Sequence, residues 1–221
     1  INTEDSLSTV QLHHAGMRSP ADLIGQSPVC PSDHAETGAV GLSLEAVEAL
    51  IEDFILGAER AVKAGFDGVE IHGAHGYILA QFLSGTVNQR EDKYGGSIEN
   101  RMRPITEIID GVRARCPKDF LLGLRLSPER FDVDLPDIIE VAKRILADAK
   151  IDFLDMSLWD SFKEPEDEAF KGRSLLSYFT ELERGDVALG IAGKLRNPEE
   201  VRLAMDANID FVLLGRAAIL H

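Results

Sequence analysis

Six short apolar segments with strand character alternate along this chain with segments of helical character. The strand-like segments are rich in aliphatic and β-branched residues, whereas the segments between them place apolar residues three and four positions apart. The predicted strands are residues 9–12, 69–72, 121–127, 153–159, 187–192 and 211–214. Such alternation predicts an α/β fold with a parallel sheet and right-handed crossovers, and the near-regular spacing favours a barrel over an open sheet.

Two of the predicted helices carry clear end signals. Ser43 is a suitable N-cap for an apolar stripe that runs to Val62, and Gly65 suits the turn that follows. Asn197 precedes a proline and two glutamates, which is a typical helix start. Residues 17–42, by contrast, are rich in proline and glycine and are predicted to form a long loop. A loop of that length in a compact domain is more often functional than idle.

Three polar rings follow the predicted strand at residues 69–72. They belong to His72, His75 and Tyr77, and strand ends are where α/β proteins build their sites. Two neutral imidazoles can donate hydrogen bonds to one carbonyl or nitro oxygen, and a nearby phenol can deliver a proton. These residues are therefore the candidate catalytic group.

The segment from residue 69 to residue 103 resembles the signature of the Old Yellow Enzyme family of flavin-dependent ene-reductases. That pattern reads His-x-x-His/Asn-x-Tyr, then Phe-Leu-Ser, then Asn-x-Arg-x-Asp-x-Tyr-Gly-Gly-Ser-x-x-Asn-Arg. Gly85 departs from it, since many members have proline there, which affects loop stiffness and leaves the chemistry unchanged. The matching residues are His72, His75, Tyr77, Phe82, Leu83, Ser84, Asn88, Arg90, Asp92, Tyr94, Gly95, Gly96, Ser97, Asn100 and Arg101.

The resemblance implies an oxidoreductase that uses FMN and NAD(P)H to reduce activated C=C bonds, such as those of enones and nitroalkenes. In that reading His72 and His75 hold the electron-withdrawing oxygen of a small activated alkene, and Tyr77 protonates the α-carbon. The pair of histidines resembles the two-histidine subset of the family. A branch that carries an iron–sulfur cluster resembles the same core, and its cysteines would lie beyond this chain.

Further residues are implied to bind the flavin. Arg125 matches the arginine that contacts the ring near N1, and Gln11 matches the glutamine on its pyrimidine edge. The alternatives are a structural ion pair for Arg125 and a core amide for Gln11. The predicted phosphate site follows the last two strands, where barrels place such sites. Its residues are Gly193, Lys194, Gly215 and Arg216.

The implied fold is an incomplete (β/α)8 TIM barrel. By the family pattern the chain supplies strands three to eight, and the first two strands and the closing helix have no counterpart. Residues 1–221 are thus predicted to be a single partial TIM-barrel domain. We expect either a fragment of a longer protein or a truncated form whose open sheet edges need a partner, for which a homo-oligomer is one solution.

Composition narrows the remaining classes. The formal net charge of −15 over 221 residues argues against nucleic acid or an anionic membrane as partner. The sequence has no apolar run of about 18 residues, which a membrane span needs. Cys30 and Cys116 make neither a disulfide framework nor a metal set, so a cytoplasmic location is predicted.

Two other functions stay open at this point. His72 and His75 could be ligands of a metal-dependent TIM-barrel hydrolase, together with His13, His14 or an aspartate, although no metal site is predicted. An inactive barrel fragment or assembly subunit would bind no flavin and would pair through its open edge.

Overall fold

A computed structural model describes residues 5–220, and six parallel strands form the main sheet of those residues. The sheet order is β1-β4-β5-β6-β7-β8, and β2 and β3 form a separate two-stranded sheet. The strands are β1 (Thr9–Leu12), β2 (Val29–Cys30), β3 (Val40–Gly41), β4 (Gly68–Gly73), β5 (Leu121–Leu126), β6 (Phe153–Ser157), β7 (Ala188–Ala192) and β8 (Phe211–Val212). The predicted parallel α/β sheet is therefore confirmed.

Helices connect consecutive strands of the main sheet. Two single turns of 3-10 helix, Gly16–Arg18 and Glu168–Phe170, lie in loops. The α-helices are α1 (Ala21–Ile24), α2 (Leu44–Lys63), α3 (Ile78–Leu83), α4 (Ile98–Arg101), α5 (Arg103–Arg115), α6 (Leu135–Asp148), α7 (Ser177–Thr180), α8 (Pro198–Met205) and α9 (Arg216–Leu220). In the part of the chain that the structure describes, no helix is both long enough and apolar enough to span a bilayer.

The predicted helix ends of α2 and α8 are confirmed. The Ser43 hydroxyl accepts a hydrogen bond from the backbone N–H of Ala46, and the Asn197 side chain accepts one from that of Glu200. These caps satisfy backbone donors that the first turn of a helix leaves free. The apolar stripe of α2 is buried, so this helix covers the outer face of the sheet.

One face of the sheet is lined by polar side chains near the carboxyl ends of the strands. His72 on β4 lies opposite Arg125 on β5, which lies opposite Asp155 on β6. Residues paired in this way point to the same side, and side chains two positions apart share that side. Glu70 and Ser157 therefore face the same space. The fold thus concentrates ionisable groups at one end of the sheet.

Deeper on the same face, aromatic rings fill the space that glycines leave. A Cβ at Gly123 would lie 2.0 Å from the Phe153 ring, and one at Gly190 would lie 2.2 Å from the Phe211 ring. The two rings meet edge to face at 5.9 Å. This apolar layer supports the polar layer above it.

The structure differs from the sequence prediction in residues 17–42. This stretch is not a plain loop, because α1 and the β2–β3 sheet lie within it. Helix α7 is the single turn Ser177–Thr180, and β6 ends at Ser157, two residues before the predicted strand end. Trp159 has a positive φ of 62°, a conformation that a continuing strand does not allow.

Candidate active site

The candidate catalytic rings gather at the carboxyl end of β4. His72 lies on the strand, and His75 and Tyr77 follow it before α3 begins. Ring centroids are 4.9 Å apart for His72 and His75 and 5.3 Å apart for His72 and Tyr77. The structure thus brings together all three residues predicted to be catalytic.

The two imidazoles contact each other and do not aim at one common point. His72 Nε2 and His75 Nδ1 are 3.2 Å apart, and His75 Nε2 is 2.7 Å from the Ser157 hydroxyl. Both ring nitrogens of His75 are therefore engaged. His72 Nδ1 is buried and has no hydrogen-bond partner within residues 5–220. A ligand oxygen that takes hydrogen bonds from both rings must replace the contact between them.

Burial keeps both histidines neutral. Desolvation, the neighbouring His75 and the Arg125 cation lower the pKa of His72 to about 3. Desolvation and the cations Arg125 and Arg18 lower the pKa of His75 to about 4. A neutral imidazole can donate one hydrogen bond and accept one, so the pair suits a polar ligand across the neutral pH range.

Tyr77 is the phenol closest to the histidines, and its hydroxyl is available to a ligand. Within the described residues the hydroxyl forms no hydrogen bond. The ring is packed edge-on against His13, with centroids 4.2 Å apart. On the other side lies the Arg18 guanidinium, 5.9 Å from the ring centroid. The ring is thus held in place while its polar end stays free.

Phe131 reaches the same rim from the loop after β5. Its ring lies edge-on to His75, with centroids 6.1 Å apart, and 5.2 Å from the Arg18 guanidinium. Arg130, Phe131 and Asp132 all have positive φ, between 55° and 67°. Such a conformation is costly for residues with a side chain, and strained backbone of this kind clusters at functional sites. We therefore include this loop in the candidate site.

Arg125 is held by a buried acid that the sequence analysis did not identify. Its Nε lies 3.0 Å from Asp155 Oδ2, and the Asp155 side chain is fully buried. Burial raises the pKa of Asp155 and nearby Glu70 raises it further, while Arg125 opposes both. Gln11 donates a hydrogen bond to Glu70, so in this structure its amide is occupied by the same acidic layer.

A cavity of about 820 Å³ opens beside Arg125 and extends toward β7 and β8. It is within the size range of small-molecule and cofactor sites. All four predicted phosphate-site residues line it, together with Arg125, Ser157, Trp159 and Arg196. The structure thus brings Arg125 on β5 and the predicted phosphate-site residues that follow β7 and β8 to one cavity.

The cations and glycines of this cavity are not equivalent. Lys194 forms an ion pair with Asp160 at 2.9 Å, whereas Arg216 forms none within residues 5–220. A Cβ on Gly193 would lie 2.8 Å from the Ser161 hydroxyl, while a Cβ on Gly215 would meet open space. Close packing against the Ser161 loop therefore explains why residue 193 is a glycine. At Gly215 the space is open and can hold a ligand.

The polar residues in the second half of the signature segment hold loops together through hydrogen bonds. The Asn88 amide donates to the carbonyls of Phe82 and Tyr94, and Arg90 pairs with Asp92 at 2.5 Å. Arg101 donates to the Leu83 and Gly96 carbonyls. These polar groups are occupied by the protein itself.

Sequence reasoning missed several residues of the site, namely Arg18, Glu70, Phe131, Asp155, Ser157 and Arg196. Asp155 and Glu70 carried a usable signal, because a charge inside an apolar strand needs a partner. Across residues 5–220, no group of three or more His, Cys, Asp or Glu side chains is arranged to hold a metal ion.

Comparison with known proteins gives concordant results. The sequence model of the NADH:flavin oxidoreductase / NADH oxidase family matches residues 1–221. A probable NADH-dependent flavin oxidoreductase of Bacillus subtilis, YqiG, is 34% identical over 226 residues, which cover 98% of this chain and 61% of the relative.

Solved structures show the same similarity. The Old Yellow Enzyme homologue from Zymomonas mobilis superposes with a TM-score of 0.79 at 30% identity, covering 97% of this chain and 64% of that one. Morphinone reductase in complex with tetrahydroNAD superposes with a TM-score of 0.78 at 26% identity, covering 97% and 63%. The chain therefore spans about three-fifths of the length of these proteins, and its sheet is the corresponding part of a TIM barrel.

Proposed function

Since the chain belongs to the NADH:flavin oxidoreductase / NADH oxidase family, we propose that the whole protein is an FMN-dependent ene-reductase. It would reduce the C=C bond of activated alkenes, such as enones and nitroalkenes, with NAD(P)H. The observation that carries the proposal is the cluster of His72, His75 and Tyr77 next to a cavity bounded by Arg125. His72 and His75 offer neutral hydrogen-bond donors, and Tyr77 offers a proton.

The residues around the cavity suit FMN. Arg125 is a fixed guanidinium on one side, and Arg196 and Arg216 are cations on the side toward β8. An anionic phosphate and a ring that gains negative charge on reduction both match such a lining. When bound, FMN would supply hydride transfer, taking the hydride from NAD(P)H and delivering it to the β-carbon of the alkene.

His72 and His75 would orient the substrate. Their neutral state lets each donate one hydrogen bond to a carbonyl or nitro oxygen, which draws electron density from the alkene. The contact of 3.2 Å between the two rings opens when that oxygen binds. Ser157 keeps the His75 ring at the rim while this happens.

Tyr77 would complete the reaction by giving its hydroxyl proton to the α-carbon. Hydride at the β-carbon and a proton at the α-carbon saturate the bond, and solvent returns a proton to the phenolate. The net reaction consumes one alkene, one NAD(P)H and one proton. The free hydroxyl of Tyr77 supports this role, because a general acid must reach its substrate.

Flavin binding and turnover test the proposal directly. FMN added to the purified protein should show a shifted visible spectrum, and NADH oxidation under anaerobic conditions should depend on 2-cyclohexen-1-one. Replacing both histidines by alanine should abolish turnover and leave the circular dichroism unchanged. A free-flavin spectrum combined with no alkene-dependent oxidation would contradict the proposal and would favour an inactive barrel segment.

Three finer features remain predictions from the sequence alone. They are the single-domain organisation of residues 1–221, a homo-oligomeric state and a cytoplasmic location. Size-exclusion chromatography with light scattering would determine the oligomeric state.

A further inference from the structure

Arg18 is an exposed residue at the rim of the candidate site. Its guanidinium carbon lies 5.9 Å from the Tyr77 ring centroid and 5.2 Å from that of Phe131, so it is held between two aromatic rings. It also lies close to Gly76. A Cβ added to Gly76 would be 3.1 Å from Arg18 Nε. The residue between His75 and Tyr77 thus leaves the space that this cation fills.

Within residues 5–220 no carboxylate pairs with Arg18, which distinguishes it from the two other arginines at the rim. Arg125 pairs with Asp155 at 3.0 Å, and Arg130 pairs with Glu166 at 2.5 Å. Arg18 has no carboxylate partner among residues 5–220, and its guanidinium donates no hydrogen bond to them. Its hydrogen-bond donors are therefore available to a ligand.

The surroundings of Arg18 favour an anion over a neutral group. The two histidines are neutral, since burial lowers the pKa of each. The acids Asp155 and Glu166 are already paired with Arg125 and Arg130. A guanidinium presents a planar set of donors that matches a carboxylate in two parallel hydrogen bonds.

We propose that Arg18 forms an anion subsite, so that the preferred substrates of this site are activated alkenes that carry a carboxylate. The inference rests on the proposed function and narrows its substrate class. The histidine pair would hold the activating oxygen while Arg18, clamped by Tyr77 and Phe131, holds the carboxylate on the side of the proton donor.

A matched pair of substrates tests the subsite. (E)-4-Oxo-2-pentenoate and its primary amide differ in charge and share the keto-activated alkene. Arg18→Gln should lower kcat/KM for the carboxylate about 10-fold, the size expected for a charge-assisted hydrogen bond at a partly exposed site. It should change the value for the amide by less than about twofold. Arg18→Lys should retain only part of the carboxylate preference, because it keeps the charge but loses the planar set of donors that makes two parallel hydrogen bonds.

Arg130→Gln is the matched control, since it removes a rim arginine that is already paired. It should affect carboxylate and amide alike. Calorimetry without reductant adds a readout of binding alone: Arg18→Gln should weaken 4-hydroxybenzoate about 10-fold and leave 4-hydroxybenzamide unchanged. Equal changes for both members of each pair would overturn the subsite.

The two proposals fail in distinguishable ways. If the wild-type protein reduces neither the amide nor 2-cyclohexen-1-one, the proposed function is wrong, and the calorimetric comparison still tests Arg18. If it reduces both and Arg18→Gln shows no selective loss of the carboxylate, the subsite is wrong and the ene-reductase proposal stands.

Discussion

The first half of the segment from residue 69 to residue 103 contains His72 and Tyr77, and the second half contains Tyr94 and Arg101. The two halves contain similar residue types but differ in whether the polar groups are hydrogen-bonded within the described residues. Tyr94 is fully buried and its hydroxyl donates to Glu107 at 2.8 Å, whereas the Tyr77 hydroxyl has no partner within the described residues. Arg101 is occupied by two backbone carbonyls and by Asp137 at 2.7 Å. His72 is also buried, and its Nδ1 has no hydrogen-bond partner in the part of the chain that the structure describes.

This contrast separates structural from chemical roles. An unpaired buried polar group is costly, so a fold keeps it mainly where a ligand or a reaction compensates. The second half of the segment satisfies its polar groups and stabilises loops. The first half leaves His72 Nδ1 and the Tyr77 hydroxyl without partners among residues 5–220, and this is the physical basis for assigning chemistry to it.

The tyrosine pair gives the largest expected effect. Tyr77→Phe removes the proposed proton donor and should reduce turnover of 2-cyclohexen-1-one by about 10²- to 10⁴-fold, the usual contribution of a general acid. Its melting temperature should hardly change, since no internal hydrogen bond is lost. Rapid-scan kinetics of alkene reduction and thermal unfolding measure the two effects.

Tyr94→Phe is the opposite case and serves as the control. It should reduce the free energy of unfolding by about 1 kcal/mol through loss of the bond to Glu107, with turnover preserved. If both tyrosine variants lose turnover equally, Tyr77 has no catalytic role that distinguishes it from Tyr94.

Arg101 gives the next largest effect, on stability. Arg101→Met leaves the Leu83 carbonyl and the Asp137 carboxylate without their donor, and should cost about 2–4 kcal/mol in unfolding free energy. Arg103→Met, at a more exposed position with bonds to Lys93 and Asn100, should cost less than about 1 kcal/mol. Urea unfolding measures the unfolding free energy of both variants. Equal losses for Arg101→Met and Arg103→Met would show that burial does not determine the cost of removing an arginine here.

The fold was largely predictable from the sequence because its signals are local. Apolar periodicity located all six strands of the main sheet and helix α2, and the caps at Ser43 and Asn197 marked helix starts correctly. The β2–β3 sheet was not predictable in this way. Each of its strands has two residues, and the pairing of Val29 with Val40 spans a loop that no local pattern describes.

The site was predictable only in part, for a related reason. A strand ending in His72 places a polar ring at the carboxyl end of the sheet, and a mid-strand Arg125 demands a partner. Which acid supplies that partner depends on the register between β5 and β6, which brings Asp155 opposite. Arg18 and Phe131 come from loops distant in sequence, so their meeting at Tyr77 follows from the tertiary fold alone.

A smaller effect concerns pH. The folded pKa of His75 is about 4, below the 6.5 of an exposed histidine, so between these values the unfolded chain binds more protons. Its contribution to stability is therefore present above pH 6.5 and is lost as the pH falls toward 4. Between pH 7 and pH 5 we expect a loss of about 2 kcal/mol from this residue.

His75→Asn isolates that contribution. Asparagine tolerates the positive φ of 58° at this position and does not titrate. The variant should lose less stability than wild type between pH 7 and pH 5 in urea unfolding. Parallel curves for the two proteins would mean that His75 stays as readily protonated in the fold as in the unfolded chain.

The smallest expected effect lies at Ser157, which joins the candidate catalytic histidines to the hydrogen-bonded part of the sheet. Its hydroxyl is 2.7 Å from His75 Nε2 and accepts a hydrogen bond from Arg125 at 3.3 Å. Ser157 therefore has hydrogen-bond partners of its own and orients the His75 ring in the candidate site. Ser157→Ala should weaken the binding of 4-hydroxybenzamide about threefold in calorimetry, since His75 loses only the hydrogen bond that fixes its ring.

Ser84→Ala is the control. It removes a fully buried hydroxyl that accepts hydrogen bonds from the N–H groups of Thr86 and Val87, and it should lower stability without changing the affinity for 4-hydroxybenzamide. If Ser84→Ala weakens the ligand as much as Ser157→Ala does, binding follows general loosening of the fold. A selective effect of Ser157 instead means that the rigid part of the sheet sets the direction in which the free donors point.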